Sequence, residues 1–475
     1  MNRGRLCINL YHMKQGKDKI TAASDFSKGS MAKLILRQAL PLSISQLALI
    51  LYNIIDRIYI GHIDSATGYP LTGLGLTLPL VSMISAVTLL FGQGGAPLFS
   101  IARGAGETKK ASRIMGNSFT LLLIASVLLT LLGYIFMKPV LYAFGAGDMS
   151  YPYARDYLMI YLAGTFFTVT ATGMNFYITA QGHPNTAMIT ILSGSILNII
   201  LDPVFIFVLG LGIRGAAIGT VISQFVSFLW VMRFILGAKA EYKITRENMK
   251  PDLKTCSRIT AMGFTGFIME ITNCATQITC NRTLRYWGGD ELGDTYINIM
   301  TIVSSVRSVM GIAVTGITSG AQPVLGFNYG AHKWDRVRSG IRWSALFAFA
   351  YTALAWLVVF LFPGFFISLF GQDPEENMMA VRYLHIFFMA YVCMSLQFSG
   401  QSTFMALGKA KQAISFSIFR KVILVIPLTL ILPFLMADHA GGVFWAEPIS
   451  NAVGGAASFF TMYFTVYRRL GKREV

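Results

Sequence analysis

The sequence predicts an all-α integral membrane protein with twelve transmembrane helices, arranged as two six-helix lobes related by a parallel pseudo-two-fold repeat. Three observations predict this fold class: an apolar composition, a series of helix-length apolar segments, and an internal repeat. Of the 475 residues, 54% are hydrophobic and only 13% are charged. A soluble domain of this length does not bury so much apolar side chain, and the composition therefore indicates a lipid environment.

Twelve apolar segments are long enough to cross a membrane, because a bilayer core about 30 Å thick requires roughly 20 residues of helix. Short polar or glycine-containing connections separate neighbouring segments. The predicted spans are 37–61, 71–99, 114–137, 154–181, 186–210, 215–236, 257–286, 296–323, 341–362, 379–406, 412–436 and 443–467.

One connection, over 237–256, is long enough to link two halves of the chain and is predicted to be a cytoplasmic linker. On either side of it we predict an N-terminal lobe over 34–236 and a C-terminal lobe over 257–467. Polar, basic tails are predicted over 1–33 and 468–475. The first tail lacks the apolar core and cleavage site of a removable signal peptide, so the first span is expected to direct insertion itself.

The two halves of the chain match each other at one constant offset. The matched positions are Pro97 and Pro323, Gly104 and Gly330, Ala105 and Ala331, Phe144-Gly145 and Phe370-Gly371, Tyr157-Leu158 and Tyr383-Leu384, Ala180 and Ala406, and Gly182 and Gly408. Because each unit has an even number of spans, both copies insert in the same orientation. Parallel repeats of this kind occur in secondary transporters with a cavity between the lobes, and a duplicated scaffold without transport is the alternative.

The charge of the connections predicts the orientation of the spans. Most of the 39 lysine and arginine residues lie in the tails and in every second loop, and acidic residues such as Asp148 and Asp373 lie in the opposite loops. Because positive charge resists translocation, both termini are predicted to be cytoplasmic in a plasma (inner) membrane protein. The predicted outward loops include those near 62–70, 138–153, 287–295 and 363–378.

Composition also excludes several classes of partner. The formal charge of +17 is spread over short segments between apolar runs, so a nucleic-acid partner is not expected. The five cysteines form no CxxC pair and have no histidines at ligand spacing, which indicates neither a zinc site nor a disulfide framework.

Three acidic residues stand out within predicted spans: Asp56, Asp202 and Glu270. A charged side chain near the bilayer centre costs at least about 2.5–3.5 kcal/mol, so each is a candidate functional residue. The structural alternatives are an ion pair of Asp56 with Arg57, capping by Asp202 of amides freed by Pro203, and neutralisation of Glu270 by Arg282 and Arg285.

Asp56 and Asp202 are expected roughly 8 and 12 Å below the outer surface, at a rise of 1.5 Å per residue, and Thr220 is expected at a similar depth. Tyr52 and Asn198 each lie one helical turn before an aspartate and share its face. These five side chains can converge within the N-terminal lobe. They can hold a hard cation, with Na⁺ between Asp56, Asn198 and Asp202, or the acids can take up protons.

Three other residues within predicted spans are weaker candidates. His385, in an aromatic stretch, is more often a packing residue than a proton relay in such a setting. Arg420 and Lys421 in span 11 are expected either to reach the membrane surface or to line a cavity.

Several motifs occur in a characteristic order and spacing. They are ALPLSISQLALILYNIIDRIYIGHID in span 1, GGAPLFSIARGAGETKKA after span 2 with its second-half partner GAQPVLGFNYGAHKWDRV, QGHPNTA before span 5, LNIILDP within it, and RGAAIGTVIS opening span 6. On these motifs the chain resembles the multidrug and toxic compound extrusion (MATE) family from about Gly29 to Arg469. Within that family it is most similar to the MepA-like and DinF-like bacterial groups.

The resemblance implies efflux of small organic compounds, often cationic and amphipathic, against inward H⁺ or Na⁺ through a cleft between the lobes. In DinF-like members, the cation site uses the positions of Tyr52, Asp56, Asn198, Asp202 and Thr220. In NorM-like members, a glutamate that matches Glu270 joins an aspartate on span 10. Span 10 of this chain has no acid, so coupling is expected in the N-terminal lobe.

Two other functions were weighed. A flippase for a lipid-linked anionic headgroup would be favoured if several of Arg57, Arg282, Arg307, Arg420 and Lys421 faced the cleft. An intramembrane enzyme or receptor is not expected, because no HExxH, GxSxG or Walker motif is present.

The expected partners are small organic substrates and the lipid bilayer, with no cofactor beyond the coupling ion and a monomeric chain. The sequence does not indicate which residues bind substrate.

Overall fold

The computed structural model describes residues 24–64, 68–368 and 374–471, and these residues form an all-helical protein. The ends of both predicted tails lie outside the described residues. So do three positions named above, Phe370, Gly371 and Asp373. Within the described residues, ten helices are long and apolar enough to cross a membrane, judged by length and composition.

The N-terminal lobe contains six spanning helices. They are α1 (Met31–Gly61), α2 (Tyr69–Gly104), α3 (Thr108–Ala143), α4 (Tyr151–Ala180), α5 (Pro184–Pro203), which continues into a π-helical turn (Val204–Val208), and α6 (Ile213–Leu236). The π-helical turn follows Pro203, whose missing amide hydrogen and ring interrupt the regular hydrogen-bond ladder and widen the helix.

The C-terminal lobe begins with one helix, Leu253–Gly330, in which Gly289 alone has a non-helical backbone (φ 60°, ψ −153°). We call its first part, 253–288, α7 and its second part, Glu291–Gly330, α8. The remaining spans are α9 (Trp334–Leu361), α10 (Pro374–Phe388 and Met394–Ala406, joined by the 3₁₀ turn Tyr391–Cys393), α11 (Ala410–Ile418, a π-helical turn Phe419–Val425, and Ile426–Leu435) and α12 (His439–Thr465). A short helix, Pro363–Ser368, lies between α9 and α10.

The twelve predicted spans are confirmed, with one difference between α7 and α8. The connection near 287–295 was expected to be a loop, but the chain stays helical except at Gly289. Glycine tolerates this positive φ without steric cost, so a single residue turns the chain and the polar residues after it continue the helix. The two spans beyond the ten apolar helices, α7 and α12, contain more polar residues.

The internal repeat also appears in the positions at which helices begin and end. At the end of the molecule that carries the loops 105–107, 181–183 and 237–252, which we call the basic end, helices of the two lobes end and begin at equivalent positions. The equivalent pairs are Gly104 and Gly330, Thr108 and Trp334, Ala180 and Ala406, and Pro184 and Ala410. These pairs share the offset found in the sequence, so the duplication extends from side chains to helix lengths.

Helix α1 belongs to both lobes. Near its start, Ile35 and Ala39 pack in an apolar cluster with C-terminal-lobe residues such as Ala321. Near its end, Ile60 packs in the main cluster of the N-terminal lobe. Leucine and isoleucine side chains on the outer helices, such as Leu128 on α3, are exposed, as expected for a surface that faces lipid.

The lobes contact each other closely at the basic end through glycines of α2 and α8. A Cβ atom placed on Gly104 would lie 1.9 Å from the carbonyl oxygen of Phe327, and one on Gly330 would lie 2.0 Å from that of Ile101. Only glycine permits such an approach of two helix backbones, so this equivalent pair of residues closes the basic end.

A short segment before α1 crosses the closed end. The Ser24 amide donates to the carbonyl oxygen of Gly182 in the N-terminal lobe at 2.8 Å. The Phe26 carbonyl accepts from Asn328 Nδ2 and from an Arg336 guanidinium nitrogen in the C-terminal lobe, both at 3.0 Å. The segment therefore holds both lobes together on the same side as the glycine contact.

We expect Gly330→Ala to open the basic end, because an added methyl group would overlap the α2 backbone at a cost of about 1–3 kcal/mol. The measurement is the rate at which a maleimide labels a single cysteine placed at Ser319, which lines a cavity inside the closed end. Labelling should become about tenfold faster, which corresponds to about 1.4 kcal/mol. Gly311→Ala is the matched control on α8, because a Cβ there has nothing within 4 Å. Equal rates in the two variants would contradict this account of the closure.

Candidate functional site

Two carboxyl groups lie side by side inside the N-terminal lobe. Asp56 on α1 is 7% exposed, and Asp202 at the end of α5 is fully buried. Their side chains are within hydrogen-bonding reach of each other. The predicted pairing of these residues across two spans is thus present in the structure, although they are separated by most of the lobe in sequence.

An amide and a hydroxyl complete the polar cluster. Asn198 Nδ2 donates to Asp202 Oδ1 at 2.9 Å and approaches Thr220 Oγ1 on α6 at 3.3 Å. Asn198 and Asp202 are one turn apart on α5, as the spacing predicted, and share its inner face. Asn198 therefore links the acid of one helix to the hydroxyl of the next.

A glycine of α6 gives the Asp202 carboxylate its position. A Cβ atom on Gly219 would lie 2.4 Å from Asp202 Oδ1, too close for any side chain. The carboxylate thus rests directly on the backbone of α6 beside Thr220. Because Pro203 follows Asp202 and the π-helical turn begins at Val204, the acid sits where α5 changes its helical geometry.

Several oxygen atoms of the cluster remain available. Among the described residues, Asp56 Oδ1, Asp202 Oδ2 and Asn198 Oδ1 are buried and have no hydrogen-bond partner. Buried polar atoms are normally satisfied, and two adjoining carboxylates repel each other. This donor set of carboxylate, amide and hydroxyl oxygens suits a proton shared between the acids, and it equally suits a hard cation such as Na⁺.

Tyrosines surround the pair. Tyr52, one turn before Asp56, lies near both acids, as the sequence predicted. Tyr157 on α4 also lies close to Asp56 and within reach of the Thr220 hydroxyl, and Tyr161 stacks on it with ring centroids 6.0 Å apart. Sequence reasoning did not assign Tyr157 to the site. Tyr157 matches Tyr383 in the internal repeat, and this match could have identified it as a candidate.

The cluster borders an internal cavity of about 150 Å³ between α1, α4, α5 and α6. Tyr52, Asn198 and Thr220 line the end of the cavity farther from the basic end, and both polar residues such as Gln46 and apolar residues such as Leu49 line the rest. Gln46 also lines a second cavity of about 90 Å³ between the lobes at the closed basic end. The acids thus adjoin a space of mixed polar and apolar lining that extends toward the lobe interface.

A larger cleft separates the lobes at the opposite end of the molecule. It has a volume of about 1080 Å³ and is lined by α1, α2, α8 and the short helix after α9. Arg57 lines this cleft, and no ion pair joins it to Asp56 within the described residues. The structural alternative of a local Asp56–Arg57 pair is therefore not what the structure contains.

Glu270 does not join the cluster. It lies half-buried on α7 in the other lobe, and it has no hydrogen bond or ion pair within the part of the chain that the structure describes. One of its expected neutralising partners, Arg285, forms an ion pair with Asp294 instead. His385 binds the backbone carbonyl of Phe360 at 3.2 Å, in keeping with a packing role.

A second charged cluster lies in the C-terminal lobe and includes an acid that sequence reasoning missed. Glu447 on α12 accepts from Arg420 at 3.0 Å and from Lys421 at 3.3 Å. All three residues are buried, so neither basic side chain extends to the membrane surface. Glu447 lies within a predicted span and precedes Pro448, and this position in the sequence could have identified it as a candidate.

Comparisons with known proteins agree with this architecture. The MatE family model matches residues 41–204 and 254–431. Multidrug export protein MepA of Staphylococcus haemolyticus (strain JCSC1435) is 24% identical over 438 residues, covering 92% of this chain and 94% of the relative. MepA of Staphylococcus aureus (strain MSSA476) is 23% identical, covering 92% of this chain and 95% of the relative.

The fold is similar to a solved structure of the outward-facing conformation of a multidrug resistance MATE family transporter of the MOP superfamily. The TM-score is 0.87, with 22% sequence identity, 94% of this chain and 98% of that chain covered. The family match spans well over half of the sequence and includes both lobes. This chain belongs to the MatE family.

Proposed function

We propose that this protein is a secondary active exporter of multiple small organic compounds, often cationic and amphipathic, and that Asp56 and Asp202 couple export to inward H⁺ or Na⁺. The relatives named above are multidrug export proteins, which supports the substrate class. The two-lobe fold with a cleft between the lobes is the architecture in which alternating access operates.

The observation that carries the proposal is the enclosed pair of carboxyl groups beside an internal cavity. A buried carboxylate without a permanent cationic partner is costly, so the pair has a large preference for a bound proton or cation. Asn198, which donates to Asp202, and Thr220 also line the cavity. Binding at the acids can therefore alter the space that a substrate occupies.

The π-helical turn after Pro203 is the part of α5 whose packing binding at the acids can change. Neutralising Asp202 removes repulsion between α1 and α5 at the point where α5 widens after Pro203. Elements with two near-equal packings respond to such a change by switching between them. A coupling ion that binds one packing more tightly than the other shifts the population toward it.

The coupling ion is to be assigned by experiment, because the oxygen set accommodates either H⁺ or Na⁺. Export of a fluorescent organic cation from membrane vesicles under separately imposed proton and sodium gradients distinguishes the two ions. We also propose that the protein acts as a monomer, as expected from its sequence.

We propose that the basic end faces the cytoplasm and that both described chain ends lie on that side. The support is the excess of lysine and arginine in its loops. In this orientation the closed glycine contact is cytoplasmic and the cleft of about 1080 Å³ opens outward. The arrangement then corresponds to an outward-open state of the transport cycle.

A flippase for an anionic headgroup is less well supported. Of the five basic residues that would favour it, only Arg57 lines the cleft between the lobes among the described residues. Arg420 and Lys421 are engaged with Glu447 inside the C-terminal lobe.

Glu270 is a second candidate for coupling or substrate contact in the C-terminal lobe, and the variants below test it.

We expect Asp56→Asn and Asp202→Asn each to lower export at least about tenfold, equivalent to about 1.4 kcal/mol of coupling. The amide keeps the size of the side chain but cannot exchange a proton or bind a cation with full charge. The measurement is export of a fluorescent organic cation from vesicles at matched amounts of folded protein. Glu270→Gln is the matched acid-to-amide control in the other lobe. Wild-type rates in both aspartate variants would refute the assignment, and a loss only in Glu270→Gln would move coupling to the C-terminal lobe.

The orientation is tested by labelling single cysteines with a membrane-impermeant maleimide in intact cells. A cysteine at Asp148, between α3 and α4, should react because its loop faces outward. A cysteine at Lys239, in the linker after α6, should react only after the cells are permeabilised. The reverse pattern would invert the proposed topology.

A further inference from the structure

A small cavity in the C-terminal lobe has a charge opposite to that of the coupling cluster. It lies between α7, α8, α10, α11 and α12 and has a volume of about 40 Å³. Arg307, Lys421 and Glu447 line it, and Arg420 adjoins it through its bond to Glu447. We infer that this cavity binds the carboxylate group of an amphipathic organic anion.

The charges of the cavity do not balance. Three cationic side chains, Arg307, Arg420 and Lys421, face one carboxylate, Glu447, and the other lining residues are uncharged. Arg420 is already satisfied by Glu447 and by Asn451 Oδ1 at 2.9 Å. Arg307 is half-buried and shares the single charge of Glu447 with Arg420 and Lys421, so the cavity keeps a positive charge that a further anion can balance.

Arg307 is the cation of this cavity that makes no hydrogen bond or ion pair among the described residues, although its charge acts on Glu447. It projects from α8 into the cavity. A guanidinium offers two parallel N–H donors that match the two oxygens of a carboxylate. Beside it, Lys421 Nζ donates to Glu447 Oε1 at 3.3 Å and to Glu447 Oε2 at 3.4 Å, and the ammonium carries three hydrogens in all.

The backbone of α11 is built to bring the two consecutive cations together. On a regular α-helix, neighbouring residues point about 100° apart, so Arg420 and Lys421 would not both reach one carboxylate easily. Both lie in the π-helical turn Phe419–Val425, which widens the helix at this point. Turns of this kind occur frequently at functional sites, and this one places both side chains against α12.

The remaining lining residues indicate that the ligand is amphipathic. Amide and hydroxyl groups of Asn273, Gln277 and Ser304, all partly exposed, lie around the charged centre. Apolar side chains of Met300 and Phe387 form another part of the wall. The volume suits a carboxylate with its nearest carbons, and an apolar body would extend past the partly exposed residues.

The test measures binding to the purified full-length protein, with benzoate as the probe and uncharged benzamide as its matched control. Isothermal titration calorimetry should show benzoate binding at least about tenfold more tightly than benzamide. Arg307→Gln should weaken benzoate binding at least about tenfold, whereas Arg57→Gln, which removes the same charge from the cleft, should leave it unchanged. Glu447→Gln should tighten benzoate binding, because it removes the carboxylate that competes for Lys421.

Several outcomes would overturn the inference. These are no benzoate binding by the wild-type protein, equal losses in Arg307→Gln and Arg57→Gln, or weaker binding in a folded Glu447→Gln protein. Displacement of benzoate by an equal concentration of chloride would identify a site for small inorganic anions instead. The assay needs no ion gradient, and Asp56→Asn should still bind benzoate. A failure here therefore leaves the proposed coupling function untouched, and loss of coupling leaves this site untouched.

Discussion

The charge of a carboxylate cannot be left in lipid, and much of the N-terminal lobe is arranged around this constraint. Asp56 and Asp202 are enclosed by four helices rather than exposed on one. The enclosure requires a glycine at 219, because a side chain there would occupy the position of the Asp202 carboxylate. It also requires Asn198 to bridge α5 and α6. The helix order of the lobe thus follows from where two acids can be buried together.

Helix α1 connects this cluster to the closed end of the molecule. Asp56 lies in its second half within the N-terminal lobe, and Ile35 and Ala39 in its first half pack with the C-terminal lobe. A helix transmits a rotation or shift along its length because its backbone hydrogen bonds are all internal. A change at Asp56 can therefore reach the contact between the lobes through one continuous element. Spatial continuity of this kind is a physical hypothesis of coupling, which the variants of Asp56 and Gly330 address at its two ends.

The sequence was sufficient for the spans and for most of the grouping of polar residues around Asp56 and Asp202, because both follow from local rules. Hydropathy over about 20 residues identifies a membrane helix, and one-turn spacing places Tyr52 with Asp56 and Asn198 with Asp202. Tyr157 could not be assigned, because its approach to Thr220 depends on how α4 packs against α6. Helix packing of this kind is set by side-chain shapes across the whole lobe rather than by any local pattern.

The C-terminal cluster was missed for a different reason. Two adjacent basic residues in an apolar span are expected to diverge on a regular helix, and no sequence rule indicates the π-helical turn that brings them together. Glu447 was not considered, and the sequence left open whether Arg420 and Lys421 would reach the membrane surface or line a cavity. In the same way, hydropathy separated α7 from α8 by a loop, whereas a single glycine with positive φ turns an otherwise continuous helix.

The two lobes come from one repeat but have acquired opposite charges at equivalent helices. α11 and α12 correspond to α5 and α6, yet the first pair carries two cations and one acid where the second pair contributes an acid, an amide and a hydroxyl. A Na⁺ ion or an added proton is attracted by adjoining carboxylates and repelled by an excess of arginine and lysine. The buried cluster of the N-terminal lobe therefore favours a cation more than the Arg420–Lys421–Glu447 cluster of the C-terminal lobe does. The C-terminal lobe, with a net positive interior and no acid in the membrane part of α10, is free to bind a ligand of the opposite charge.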